Sequence, residues 1–173
     1  MRRTTMKTKR VSSGDGRIAE TLAQYATTRP AQNMAQQVVL EGDCLDVLLR
    51  LPDGCVDLAV TSPPYADRRK TTYGGIHPDR YVEWFMPRTA QIKRVLKPQG
   101  SFVLNIKEKT YNGERHTYVI ELILAMKESG WLWTEEYVWH KKNCYPGKWP
   151  NRFRDAWERC LQFNKQKKFN GSG

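Results

Sequence analysis

Thr61-Ser62-Pro63-Pro64-Tyr65 gathers a hydroxyl, a carbonyl on a proline-stiffened turn and an aromatic ring into one short segment. That set suits an exocyclic amine on a nucleobase. Such an amine is a poor nucleophile because its lone pair is delocalised into the ring. It reacts once both hydrogens are held and the nitrogen is drawn toward a tetrahedral shape. The Ser62 hydroxyl oxygen and the Pro63 carbonyl supply two acceptors, the prolines keep their separation fixed, and Tyr65 offers a stacking face. Stacking there requires the base to leave its helix, which costs a few kcal/mol that an aromatic platform partly returns. The same prolines also have a plain structural reading, since neither can donate a backbone hydrogen bond and both end a sheet ladder.

The elements that would position these groups can be read from periodicity. Val38-Val39-Leu40 predicts a short strand ending at the turn Glu41-Gly42-Asp43, with Asp43 placed to cap the next helix. Leu45, Leu48 and Leu49 recur at helical spacing until Pro52-Asp53-Gly54, and Val56 to Thr61 reads as a buried strand. After a loop from Ala66 to Pro78, a helix is predicted from about Asp79 to Leu96, with Tyr81, Trp84, Phe85, Ile92 and Val95 on its apolar face and Pro87 as a candidate kink. Pro98-Gln99-Gly100 breaks it before a strand at Ser101 to Ile106. A further helix around Val119 to Met126 ends at Gly130, and strands are predicted at Trp131 to His140 and Arg159 to Asn164. Alternating strands and helices point to a three-layer α/β domain with a largely parallel sheet. In such sheets ligands bind beyond the carboxyl ends of the strands, where Asp43 and Ser62 both fall.

Composition narrows the partner. The chain has 173 residues, 39% of them hydrophobic, which suits one domain; its net charge of +11 calls for a polyanion, and nucleic acid is the first choice. No stretch approaches the roughly 20 apolar residues of a membrane span, and the basic Met1 to Arg10 is succeeded by no apolar signal segment. A cytoplasmic protein is expected. Cys44, Cys55, Cys144 and Cys160 lack ligand spacing, as do His77, His116 and His140, so they read as ordinary side chains and no metal is expected. Residues 1–37 are polar and basic and read as a flexible arm; residues 38–169 read as the domain and 170–173 as a tail.

With these residues in view, the sequence resembles the β-group amino-methyltransferases of DNA, whose catalytic motif is Asp/Asn/Ser-Pro-Pro-Tyr/Phe. The resemblance runs from Val38 to about Phe169. It takes in Glu41-Gly42-Asp43-Cys44-Leu45, the Leu-Pro-Asp-Gly turn, Arg94-Val95-Leu96-Lys97-Pro98-Gln99-Gly100, and Trp157-Glu158-Arg159. It implies part of a Rossmann-like domain dependent on S-adenosylmethionine, with Ser62, Pro63, Pro64 and Tyr65 catalytic and Asp43, Cys44 and Thr61 near the cosubstrate. It implies double-stranded DNA with a flipped base as substrate, and direct in-line methyl transfer with no covalent enzyme intermediate. The Thr-Ser-Pro-Pro-Tyr form implies the N4 of cytosine and a restriction-modification role; serine and aspartate can each accept from either amine, so the N6 of adenine stands as the alternative.

Other candidates carry weaker signals. Arg68, Arg69 and Lys70 come just after the motif, where phosphates of a flipped nucleotide would pass. Lys141, Lys142, Lys148, Arg152 and Arg154 interleave with Tyr145, Trp149 and Phe153, a pattern that could touch DNA but reads first as a charged surface loop. The family's glycine-rich Phe-x-Gly-x-Gly turn comes late in the β group. Phe169-Asn170-Gly171-Ser172-Gly173 spells it, but with no recognition region before it and no helix after it, it reads as chance or a truncation scar. Three readings remain: an inactive truncated enzyme, a subunit completed by a chain that carries the glycine-rich loop and target-recognition region, or a DNA-binding module.

Overall fold

A computed structural model of the chain describes residues 8–12, 20, 37–67, 75–143 and 148–167. Strand β1 (Thr8–Ser12) pairs in parallel with β2 (Gln37–Glu41), so this piece of the expected arm is held by a backbone ladder. The rest of the arm, apart from Glu20 and Gln37, lies outside the described residues, as do Arg68, Arg69, Lys70, Cys144, Tyr145 and the Phe169 to Gly173 string.

Helix α1 (Cys44–Leu49) begins where Asp43 Oδ1 accepts from the Leu45 amide at 2.8 Å, satisfying one of the orphan donors of the first turn. Its far end is closed from another element. Arg94 donates to the carbonyls of Leu48 at 2.7 Å and Leu51 at 2.8 Å and pairs with Asp53. Strand β3 (Val56–Thr61) comes next; then a 3₁₀ turn (Pro78–Arg80) leads into helix α2 (Tyr81–Val95), which accommodates Pro87. Strand β4 (Leu96–Ile106) starts immediately.

The expected break at Pro98-Gln99-Gly100 is instead an irregularity within β4. Val56 pairs with Leu96 but Leu58 pairs with Ser101, so the extra residues are taken up between two paired stretches and the strand resumes. Gly100 has a packing reason there: a Cβ would stand 3.0 Å from the Asp57 carbonyl oxygen and 3.1 Å from that of Val56. A short hairpin, β5 (Thr110–Tyr111) and β6 (Glu114–Arg115), adds to the elements expected from periodicity. Its turn is Asn112-Gly113 with φ of 47° and 82°, the left-handed pair that a two-residue hairpin requires. Helix α3 (Tyr118–Glu128), β7 (Leu132–His140) and β8 (Trp157–Asn164) complete the described chain.

The main sheet has the order β3-β4-β8-β7. β3 and β4 are parallel, while β8 is antiparallel to both β4 and β7. Thus β3, β4 and β7 share one direction, as expected of crossovers through α2 and α3, and β8 alone is reversed because a loop, with no described helix, joins it to β7. Pairing is therefore mixed even though direction is mostly shared. Ala59, Phe102 and Phe163 form one row across the sheet and Leu104 and Leu161 belong to the next. These pack against Tyr81, Phe85, Tyr118, Leu122 and Met126 of α2 and α3, building the core on one face. The opposite face exposes Leu58 at 56% and Val60 at 65%. The described residues thus form two layers where three were expected.

Gly100→Ala is expected to lose about 1–3 kcal/mol, because two of the nearest atoms belong to backbone that cannot move aside. Thermal denaturation should show a lower midpoint with an unchanged far-UV spectrum; an unchanged midpoint would refute the close approach.

Candidate active site

The Ser62 to Tyr65 loop emerges from the carboxyl end of β3, as the ladder-ending prolines require, and lines a cleft of about 1210 Å³. Ser62 is exposed and Pro63 buried, so the hydroxyl faces the opening while the proline anchors the turn. The buried Tyr81 hydroxyl donates to the Pro64 carbonyl at 2.9 Å, fastening the loop to the first turn of α2. Among the described residues no donor meets the Pro63 carbonyl. Burial, then the neighbouring Tyr118 and Tyr65, push the Tyr81 phenol far up, which keeps it a neutral donor.

Tyr65 is held from the other side of the cleft. Its hydroxyl donates to Glu158 Oε2 at 2.7 Å, with Asn105 Oδ1 at 3.1 Å, and the Ser62 hydroxyl stands 3.5 Å from the Tyr65 oxygen. Asn105, near the end of β4, is oriented by donation from Nδ2 to the Arg159 carbonyl at 3.1 Å. Glu158 is 5% exposed, and an unpaired carboxylate there would be costly. Lys141 forms a close ion pair with its other oxygen. Burial pushes the Glu158 carboxyl up, but the bonds and charge from Lys141 and Tyr65 outweigh this and leave it below the ordinary value. Burial pushes the Tyr65 phenol up to about 12, opposed by the Ser62 hydrogen bond and reinforced by the contact and charge of Glu158. Tyr65 is therefore a neutral, fixed ring.

The cleft's other walls carry aromatic rings and balanced charges, Lys107, Lys109 and Arg152 against Asp67, Glu108 and Asp155. Lys109 pairs with Asp67 at 2.6 Å, Lys107 with Asp155 at 3.0 Å, and Trp139, Trp149, Arg152 and Phe153 line the rim. Trp84 and Phe85 pack with Tyr81, so the aromatic stripe of α2 serves the core. Asp43 is the cap of α1 and lies 3.5 Å from Arg88, its side chain 54% exposed; neither it, Cys44 nor Thr61 lines the cleft.

A protein-family model described as DNA methylase, covering the N6 and N4 enzymes, matches residues 56–172. The chain belongs to that family. It is 31% identical over 146 residues to the type II methyltransferase M.PvuII of Proteus hauseri, covering 79% of this chain and 44% of that protein. It is 30% identical over 150 residues to the type II methyltransferase M.SfiI of Streptomyces fimbriatus, covering 74% of this chain and 36% of that one. Among solved structures, the cytosine-N4-specific PvuII DNA methyltransferase superposes with a TM-score of 0.66 at 30% identity, over 75% of this chain and 49% of that chain. A DNA modification methylase from Thermus thermophilus, complexed with S-adenosyl-L-methionine, shares the fold with a TM-score of 0.57 at 20% identity. The chain thus spans less than half the length of M.PvuII and M.SfiI.

The family motif is visible in sequence; its supports are not. Asn105 and Glu158 carry no role that the motif assigns, although a glutamate inside Trp157-Glu158-Arg159-Cys160-Leu161, a strand of mainly apolar partners, is a signal of a buried charge with a purpose. Because Glu158 is depressed in the fold, its ion pair stabilises above the unfolded glutamate value and is lost as pH falls through the lower folded value. Urea titrations should accordingly show wild type losing more stability than Glu158→Gln as pH drops below about 4.5. Parallel losses would refute the paired, buried carboxylate.

Proposed function

We propose that this chain is the catalytic part of a site-specific DNA methyltransferase that moves a methyl group from S-adenosylmethionine to the N4 amine of cytosine, in a restriction-modification system. The observation that carries this reading is the Ser62 to Tyr65 loop, fastened by Tyr81 on one side and by Glu158 and Asn105 on the other, at an open cleft. The Ser62 hydroxyl and the Pro63 carbonyl accept the two amine hydrogens, and the Tyr65 ring carries the face of a base extruded from double-stranded DNA. Their contribution is position: acceptors already fixed in place cost no reorganisation when the amine sharpens toward a tetrahedron. The amine proton passes to solvent through the open cleft. The cytosine-N4 specificity of PvuII methyltransferase favours cytosine over the adenine alternative.

The cosubstrate supplies an electrophilic methyl group. Asp43, Cys44 and Thr61 are proposed to hold it. The Asp43 carboxylate suits a hydroxyl or amine donor of an adenosyl group, being steadied by α1 and Arg88 yet half open to solvent. The edge of β3 supports a completing chain or region that brings the glycine-rich loop and the target-recognition region. Leu58 and Val60 stand exposed beside an edge with no described partner strand, and covering the exposed part of each would gain about 1–2 kcal/mol. No described helix is long and apolar enough to cross a membrane; a cytoplasmic setting, with DNA as partner, accords with the proposed activity.

Incubating the purified chain with labelled S-adenosylmethionine and mixed-sequence DNA, then analysing nucleosides by mass, should give N4-methylcytosine, reduced about 100-fold in Ser62→Ala. N6-methyladenine would overturn the base assignment. DNA bound without product would place the remaining cosubstrate contacts in the completing region, and failure to bind DNA would overturn the reading.

A further inference from the structure

The segment between β7 and β8 holds a feature that amine transfer does not use. Phe153 is 98% exposed, the most exposed of the large hydrophobic side chains described, and it sits on the rim of the cleft that contains Ser62 and Tyr65. Its loop is tied down on both sides. The Lys141 amide donates to the Ala156 carbonyl at 2.7 Å across the base of the loop. Asn151 Nδ2 donates to the Gly113 carbonyl at 2.7 Å, joining it to the β5–β6 hairpin. Trp149 and Arg152 bridge, with the guanidinium 5.0 Å above the indole, and Asp155 pairs with Lys107 at 3.0 Å and Arg115 at 3.3 Å.

An aromatic ring projected into water from so anchored a loop contributes nothing to this fold, and Lys148, Arg152 and Arg154 around it provide charge for backbone phosphates. We propose that Phe153 is a wedge that enters the DNA stack and occupies the gap left by the extruded base. The inference rests on the proposed reading of the cleft as the site for that base. Tyr65 and Phe153 then divide the work: Tyr65 receives the base, while Phe153 stacks in the vacancy and opposes the base's return. Intercalation of an apolar side chain restores stacking surface that extrusion removes, and the phosphate contacts of the neighbouring cations set its depth.

The test is the affinity of the full chain for two fluorescent duplexes of the same mixed sequence, one intact and one with a single abasic gap. A gap spares the wedge the cost of unstacking, so wild type should prefer the gapped duplex by about tenfold. Phe153→Ala should bring the two affinities within about twofold, and Phe153→Trp should keep the preference, since stacking needs only an aromatic face. Arg152→Ala should weaken both duplexes alike, as a phosphate contact does. Phe153 touches almost nothing in the fold, so the variants keep the protein's stability. A gap preference that survives in Phe153→Ala, or is absent from wild type that binds both duplexes, overturns the wedge alone. Wild type that binds neither duplex overturns the DNA-directed reading and the wedge with it.

Discussion

The Glu158 carboxylate is the interaction on which the cleft depends. It sits nearly buried at the start of β8 and binds two partners from different parts of the chain, Tyr65 after β3 and Lys141 after β7. A carboxylate in that position must be paired, and breaking such a pair by removing one partner costs several kcal/mol, roughly 3–5 in buried examples. The same contacts that satisfy it therefore oblige the motif loop and the far wall of the cleft to stay in register. Asn105 and Tyr81 extend this constraint, one from β4 and the other from α2, so that Tyr65 and Pro64, the last two residues of the loop, are held by elements distant in sequence.

A second polar network runs along the uncovered face of the sheet. Asn164 is fully buried and donates to Ser101 Oγ at 2.8 Å, its Oδ1 accepts from Thr134 at 2.6 Å and from Gln162 at 3.2 Å, and Gln162 Oε1 accepts from Tyr137 at 3.1 Å. These bonds cross β4, β8 and β7 and reward one register only, since a slip by one residue would carry the amides to the apolar face. That is how an antiparallel strand is accommodated between two strands of opposite direction. Toward β3 the network gives way to Leu58 and Val60, apolar and exposed, so the same face is polar and self-satisfied at one side and unfinished at the other.

The two faces thus have different states. The helical face is closed by a continuous core from Ala59 to Trp131, and the Tyr81, Phe85 and Tyr118 rings lock α2 and α3 over it. Arg94 links α1 to α2 through main-chain carbonyls, which binds the Leu-Pro-Asp-Gly turn to the helix preceding β4. These two segments belong separately to the family resemblance; the hydrogen bonds give the physical reason they travel together. The cleft opens at the strand ends, where the closed face supplies rigidity and leaves the loops free to meet a ligand.

Local chemistry settled much of this protein before any folding: the proline pair that ends β3, the Asp43 cap, the leucine spacing of α1, the long apolar face of α2 and the alternation that makes an α/β domain. Those features depend on neighbours within a few residues, so they are legible in one dimension. The Asn112-Gly113 turn is local too, but it is a two-residue signal between strands too short to show any alternation, and periodicity does not reveal it. Tertiary structure alone decided the reversal of β8, the irregular register around Gly100, and the meeting of Tyr65 with Asn105, Glu158 and Lys141. The Tyr65 contacts reach across 40 residues to Asn105 and 93 to Glu158. They are fixed by burial and by the need to neutralise a charge, and neither condition exists until the sheet has formed.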